Sequence, residues 1–291
     1  MIAILRFLGT NCEFDIARSA QVLGAECAIV WHKETALPQG TNLVIVPGGF
    51  SYGDYLRCGG IAKFAPIMKA VREFADNGGF VFGICNGFQI LCEAKMLPGA
   101  LMRNKDIAYK SILGEFEICN NDNALLKSYA MREKIRLPIA HAEGNYYIDS
   151  AGLEALRTKN QILLKYTSDI NGSVAQIAGI CNENKNVFGM MPHPERAVER
   201  ILGSDDGAKM LKDIFSVNAP NAANLSNESH LDLRESNEID SHTISSLRGD
   251  LSPKQSIVSQ DLRESNEANF HNSKHDSHES LKLSANYKFN D

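Results

Sequence analysis

Four short, almost wholly apolar runs set the terms for the first third of the chain: IAILRF (2–7), CAIVW (27–31), LVIVP (43–47) and FVFGI (80–84). Runs this short that lack polar alternation are expected to be strands covered on both faces, as in a parallel sheet. Between the third and fourth, Ile61, Phe64, Met68, Val71 and Ala75 recur at helical spacing, and Asn77-Gly78-Gly79 supplies a helix end. The strand–helix–strand order predicts an α/β fold built on a doubly wound, mainly parallel sheet. Any site is then expected at the carboxyl ends of the strands.

Further strands are predicted at EFEIC (115–119), ILLKYT (162–167), VAQIAGI (174–180) and NVFGMM (186–191), several of them antiparallel additions to the sheet. Ser204-Asp205-Asp206 is expected to cap a last helix carrying Met210, Leu211, Ile214 and Phe215. The character of the chain then changes. Residues 218–291 are rich in Ser and Asn, poor in large apolar side chains and without periodicity, so they form the expected disordered tail beyond a domain at 1–217. DLRESNE occurs twice in this tail, at 232–238 and 261–267; duplication in an unconstrained segment is the expected origin, with a short linear binding motif or a short helix as the alternatives. Five of the eight histidines also lie there, but HNSKHDSH has no scaffold to fix metal ligands, and no metal is expected.

Charge and motif content exclude several function classes. Residues 219–291 hold 7 Lys/Arg against 12 Asp/Glu, which leaves 23 of each sign before them, so the main body has no basic surplus for nucleic acid. The apolar runs fall far short of the roughly 20 residues that span a bilayer, and no membrane role is expected. Seven cysteines, odd in number and scattered in spacing, point to reduced thiols and a cytoplasmic location. Neither a G-x-x-x-x-G-K-[ST] loop nor a G-x-G-x-x-G helix opening is present, so this chain is expected to bind no ATP by those routes.

The stretch FVFGICNGFQI (80–90) carries the chemistry. A cysteine ending a buried strand is commonly a small core residue. Here Gly83 and Gly87 flank Cys85 in the pattern of a strand-to-helix nucleophile elbow, and the following helix, expected from 86 to about 95, would favour thiolate at its N-terminus. A thiol that attacks an acyl or amide carbon needs a base and an orienting group. Met191-Pro192-His193-Pro194-Glu195 offers both, with His193 and Glu195 two apart and on one side of an extended segment; a surface loop in which Glu195 pairs with Arg196 is the alternative. Pro47-Gly48-Gly49 follows the third strand. The Gly49 N–H with that of Asn86 would make an oxyanion hole, although an ordinary strand-ending turn reads equally well there.

P-G-G after a strand, G-x-C-x-G-x-Q at an elbow and H-P-E late in the domain together resemble the class I, or triad, glutamine amidotransferases. RFLGTNCEFD (6–15), VPGGFSYGDYLRCGGIA (46–62), FVFGICNGFQIL (80–91), AHAEGNYY (140–147), NGSVAQIAGI (171–180) and FGMMPHPERA (188–197) look like the glutaminase subunits of phosphoribosylformylglycinamidine synthases, of purine biosynthesis. The resemblance runs from residue 1 to about 216 and implies a flavodoxin-like core. It also implies that Cys85 attacks the amide carbon of glutamine, that His193 shuttles the proton to departing ammonia, and that Glu195 orients His193. Gly48 and Gln89 would contact the substrate. The resemblance further implies a large synthetase subunit that receives the ammonia and carries ATP and Mg, and a small bridging subunit. SYGDYLRCGG (51–60) is a candidate for glutamine or partner contact, and His141 with Glu143 are assigned to structure or docking.

Two other readings are compatible with an elbow thiol. A cysteine hydrolase or deglycase of the related α/β superfamily generally carries His directly after the cysteine, where Asn86 stands here. A non-catalytic binding subunit would be expected to lack a triad member, and all three are present.

Overall fold

The computed structural model describes residues 1–217. In chain order these form β1 (Ile2–Arg6), α1 (Glu13–Val22), β2 (Cys27–Trp31), β3 (Leu43–Val46), α2 (Ile67–Asp76), β4 (Phe80–Ile84), α3 (Asn86–Glu93), β5 (Ala100–Met102), β6 (Lys110–Ile118) and β7 (Lys134–His141). There follow β8 (Asn145–Tyr147), α4 (Ser150–Thr158), β9 (Ile162–Tyr166), β10 (Ile177–Cys181), β11 (Val187–Met190) and α5 (Gly207–Phe215). Residues 218–291, with the expected tail, its repeat and its histidines, lie outside the described residues.

One nine-stranded sheet runs β2-β1-β3-β4-β11-β10-β9-β6-β7, and β5 pairs with β8 apart from it. The first five are mutually parallel, in the order of a flavodoxin-like sheet, and the remaining pairings are antiparallel. The expected α/β fold with antiparallel additions is therefore present. β1, β3, β4 and β11 are buried almost throughout because helices or other elements cover both of their faces. β2 is less buried than its apolar sequence predicts, since it is the edge strand and Ile29 is 40% exposed.

The helix predicted from Ile61 begins only at Ile67. Pro66 forces Ala65 into an extended conformation (φ −61°, ψ 140°), so Ala62–Phe64 form a separate short 3-10 turn and Phe64 is 77% exposed. The buried face of α2 is Ile67, Met68, Val71 and Ala75, and burying each large side chain contributes roughly 1.5–3 kcal/mol. Gly78, at φ 86°, ends the helix, as Asn77-Gly78-Gly79 predicted.

Other boundaries also shift. The strand expected from Val174 starts at Ile177, because Ala175 and Gln176 adopt positive φ. The strand expected at 115–119 begins at Lys110. β7, unforeseen, alternates buried and exposed residues and tolerates Pro138 because it is an edge strand. Ser204-Asp205-Asp206 does not cap α5 through a side chain: the Asp206 carboxylate instead accepts the Arg136 N–H at 2.7 Å, and Ser204 Oγ accepts the Asp206 N–H at 3.1 Å. Among the described residues no helix is long and apolar enough to cross a membrane, and all seven cysteines are unpaired.

Candidate active site

Three adjacent parallel strands deliver the candidate residues to one end of the sheet. β3 leads into Pro47-Gly48-Gly49, β4 into Cys85, and β11 into His193 through Met191-Pro192. The side chains come from distant sequence positions, yet strand register sets their relative heights.

Cys85 joins β4 to α3 at φ 51°, ψ −106°, a strained conformation for a residue with a Cβ. Surrounding elements hold it there: the Cys85 N–H donates to Met190 O at 2.7 Å, and α3 starts at the next residue. The flanking glycines permit the close packing this requires. A Cβ on Gly87 would stand 1.8 Å from Val46 O, and one on Gly83 would stand 2.8 Å from the Gly87 backbone. Cys85 is buried, and its thiol donates to Ala140 O at 3.7 Å.

His193 and Glu195 meet by a route different from the one the sequence implied. Pro194 opens a short 3-10 turn, Pro194–Arg196, in place of an extended segment, and the turn brings Glu195 Oε1 to 2.6 Å from His193 Nδ1. Both side chains are buried. Burial depresses the His193 pKa, but the Glu195 carboxylate first, then the sulfurs of Cys85 and Cys12, outweigh it and hold the imidazole well above its ordinary value. His193 Nε2 is buried without a partner. Arg196 turns away from Glu195 to pair with Asp15 at 3.0 Å, which removes the surface-loop alternative.

The Pro47-Gly48-Gly49 turn fills the space between these groups. A Cβ on Gly48 would lie 2.8 Å from His193 Cε1, 3.0 Å from Cys12 Sγ and 3.4 Å from Cys85 Cβ. Gly48 O accepts the N–H groups of Asn11 and Cys12 at 3.4 and 3.3 Å. In a planar trans peptide the next N–H points the opposite way, so that of Gly49 is directed away from the start of α1. It has no acceptor among the described residues, and neither has the Asn86 N–H at the start of α3.

A chain with this geometry matches, over residues 1–212, the family described as the CobB/CobQ-like glutamine amidotransferase domain. The phosphoribosylformylglycinamidine synthase subunit PurQ of Helicobacter hepaticus is 57% identical over 216 residues, 74% of this chain and 97% of that protein. The chain belongs to the PurQ family of glutamine amidotransferases. The PurQ subunit of Campylobacter jejuni is 52% identical over 75% of this chain and 96% of its own. Among solved structures, that of PurLQS from Thermotoga maritima superposes with a TM-score of 0.68 at 39% identity, covering 73% of this chain and 96% of that one.

Other residues of this PurQ-family amidotransferase have clear local roles. Gln89 has both amide atoms engaged: Oε1 accepts from Asn86 Nδ2 at 2.8 Å and Nε2 donates to Glu143 O at 2.6 Å. A substrate contact through Gln89 requires one of these bonds to open. The Asn86 side chain also accepts the Ser51 N–H at 3.1 Å, which ties the SYGDYLRCGG loop to α3. That loop exposes Tyr55 and, at 91%, Leu56. His141 and Glu143 do not pair: His141 Nδ1 meets Asn104 Oδ1 at 3.1 Å, and the Glu143 carboxylate faces Arg103 at 3.6 Å.

Sequence reasoning missed Cys12, Tyr109 and Ser19. Tyr109 is half exposed, with its hydroxyl pKa pushed up by burial first and then by Cys85, and Ser19 Oγ donates to Glu195 O at 3.0 Å. The stretch RFLGTNCEFD contained Cys12 but gave no sign of its target. Among the described residues, Cys12, His193 and Glu195 are the one group of three or more potential metal donors, with one atom from each within 4.8 Å of the others. Glu195 Oε1 and His193 Nδ1 are already spent on each other, which leaves an acid/base pair as the simpler use of the cluster.

Two expected outcomes follow from the buried histidines. The raised pKa of His193 stabilises the fold fully below the unfolded value near 6.5, and this is lost as pH rises through the folded pKa. Glu195→Gln should therefore lower the melting temperature most at pH 5–6, with the gap to wild type narrowing as pH rises; a pH-independent gap would contradict the ion pair. Burial, then the charge of His193, lowers His141 to about 4. Its unfolded form binds a proton near 6.5, so stability falls between pH 6.5 and 4 by up to about 3 kcal/mol. His141→Gln should flatten that part of the melting-temperature profile.

Proposed function

We propose that this chain hydrolyses the side-chain amide of glutamine with Cys85 as nucleophile, as the glutaminase subunit of a phosphoribosylformylglycinamidine synthase. The observation that carries the reading is the buried, unpartnered Nε2 of His193 beside Cys85, with Nδ1 held by Glu195 at 2.6 Å. A ring so held has one nitrogen free for proton transfer.

Cys85 Sγ forms a bond to the amide carbon, and the carbonyl electron pair moves onto oxygen, where the N–H groups of Gly49 and Asn86 receive it. His193 Nε2 holds the one proton that it shares with the Cys85 thiol, as its raised pKa favours, and gives it to the amide nitrogen as the C–N bond breaks and ammonia leaves. Water then adds to the thioester. His193 takes its proton and returns it to sulfur as glutamate departs. The Gly48 backbone, whose missing side chain lets His193 and Cys12 close on the turn, contacts the substrate, and Gln89 has a lesser part in holding it.

Ammonia passes to a large synthetase subunit that carries ATP and Mg, and a small subunit bridges the two. The exposed Tyr55 and Leu56 of the SYGDYLRCGG loop supply apolar surface for that docking. Seven free thiols suit a reducing, cytoplasmic location. The test is glutamine-dependent amidine synthesis by this chain assembled with both partner subunits. Glutamate and amidine should form in equal amounts; an assembled enzyme that uses free ammonia but releases no glutamate from glutamine would overturn the reading.

A further inference from the structure

Cys12 is a buried thiol in contact with the candidate triad, and the proton-transfer scheme has no use for it. It stands at the start of α1, 1% exposed, and its neighbours hold it from several sides. Its N–H donates to Gly48 O at 3.3 Å, and its thiol donates to Asn11 Oδ1 at 3.1 Å. Arg196 Nη2 donates to its sulfur at 3.1 Å, while Arg196 Nε is fixed on Asp15 at 3.0 Å. The sulfur and His193 Cε1 both border the small space above Gly48 Cα. One residue thus bonds the backbone of the oxyanion turn and sets its sulfur within 4.8 Å of a ring nitrogen of the base.

We propose that Cys12 is a positioning residue for glutamine hydrolysis, its sulfur bracing the His193 ring while its N–H holds the Gly48 carbonyl, with Arg196 as the anchor that keeps the sulfur in place. The inference rests on the proposed glutaminase function. Sulfur suits this post: it is large enough to fill the space beside the ring, and it is too weak an acceptor to draw Nδ1 away from Glu195. Serine would bring oxygen nearer to its own Cβ, opening a gap at the ring edge and adding a stronger competitor for the imidazole. Alanine would leave Arg196 Nη2 without its sulfur contact and the ring edge unsupported. The burial of Cys12 pushes its thiol pKa up, so it acts as a neutral contact and not as a second nucleophile.

The experiment compares wild type, Cys12→Ser, Cys12→Ala and Arg196→Lys, each assembled with the partner subunits. Steady-state glutaminase kinetics, the rate of Cys85 labelling by a glutamine-analogue electrophile, and melting temperature are measured. A base displaced by a fraction of an ångström should lower kcat about 10-fold with KM changed less than about 2-fold, in Cys12→Ser and Cys12→Ala. Cys85 labelling should slow in parallel, and Arg196→Lys, which keeps the charge but loses the fork, should fall between these variants and wild type. Wild-type kcat and labelling rate in both folded Cys12 variants would overturn the proposal while leaving the glutaminase reading intact. A rise in KM alone would also overturn it, by making Cys12 a substrate-pocket residue. If a Cys12 variant fails to fold, Arg196→Lys decides: an unchanged kcat refutes the bracing role. Absence of glutaminase activity in assembled wild type would instead defeat the functional reading on which the proposal stands.

Discussion

Cys85→Ala is expected to reduce glutamine hydrolysis by the assembled enzyme by on the order of 10⁴-fold or more, while synthesis from free ammonia continues. The size of the loss follows from the role: without sulfur no thioester forms, and water must attack the amide directly. The fold should survive. The side chain makes one weak bond, to Ala140 O at 3.7 Å, and the strained backbone at φ 51° is held by the Met190 carbonyl and the start of α3, which alanine keeps. Continued ammonia-dependent synthesis would show that the variant still docks. Undiminished glutamate release from Cys85→Ala would sink the mechanism, because no other nucleophile is placed at the elbow.

The largest expected loss of stability is at Gly87. A methyl group there would sit 1.8 Å from the Val46 carbonyl oxygen, and neither that carbonyl nor α3 can yield without moving a central strand. Overpacking of ordinary side chains costs about 1–3 kcal/mol, and a clash with backbone belongs at or beyond the top of that range. For a domain of this size, about 3 kcal/mol corresponds to a drop in melting temperature of roughly 6–12 °C. Gly87→Ala should show such a drop together with slower Cys85 labelling, since α3 can relieve the clash only by carrying the elbow with it. A normal melting temperature with normal labelling would mean that the turn is far more compliant than its packing indicates.

The parallel core was legible because β1, β3 and β4 are short apolar runs without polar alternation, as burial on both faces requires. The elbow was legible because glycine on both sides of Cys85 has few other uses. Where the reading went astray, a local preference gave way to a neighbour. Pro66 cut short a helical pattern that otherwise ran back to Ile61. Pro138 disguised β7, although it sits at an edge where the missing N–H is harmless. His193 and Glu195 were paired correctly on a wrong backbone, because two-residue periodicity and a 3-10 turn can bring the same side chains together. Cys12 was illegible in principle: its partner Arg196 is 184 residues away, and only the assembled sheet brings the β1–α1 turn against the turn after β11.

The hydrogen bond from the Cys85 amide to Met190 O carries the ladder between the central strands β4 and β11 one residue past the end of β4, which ties the backbone of the proposed nucleophile to the sheet. Amides so placed exchange with solvent only through the largest, most costly openings of a domain. The thiol therefore has little access to partly unfolded forms in which it would meet stray oxidants or proteases. Its exposure is rationed by the same free energy that keeps the whole domain folded.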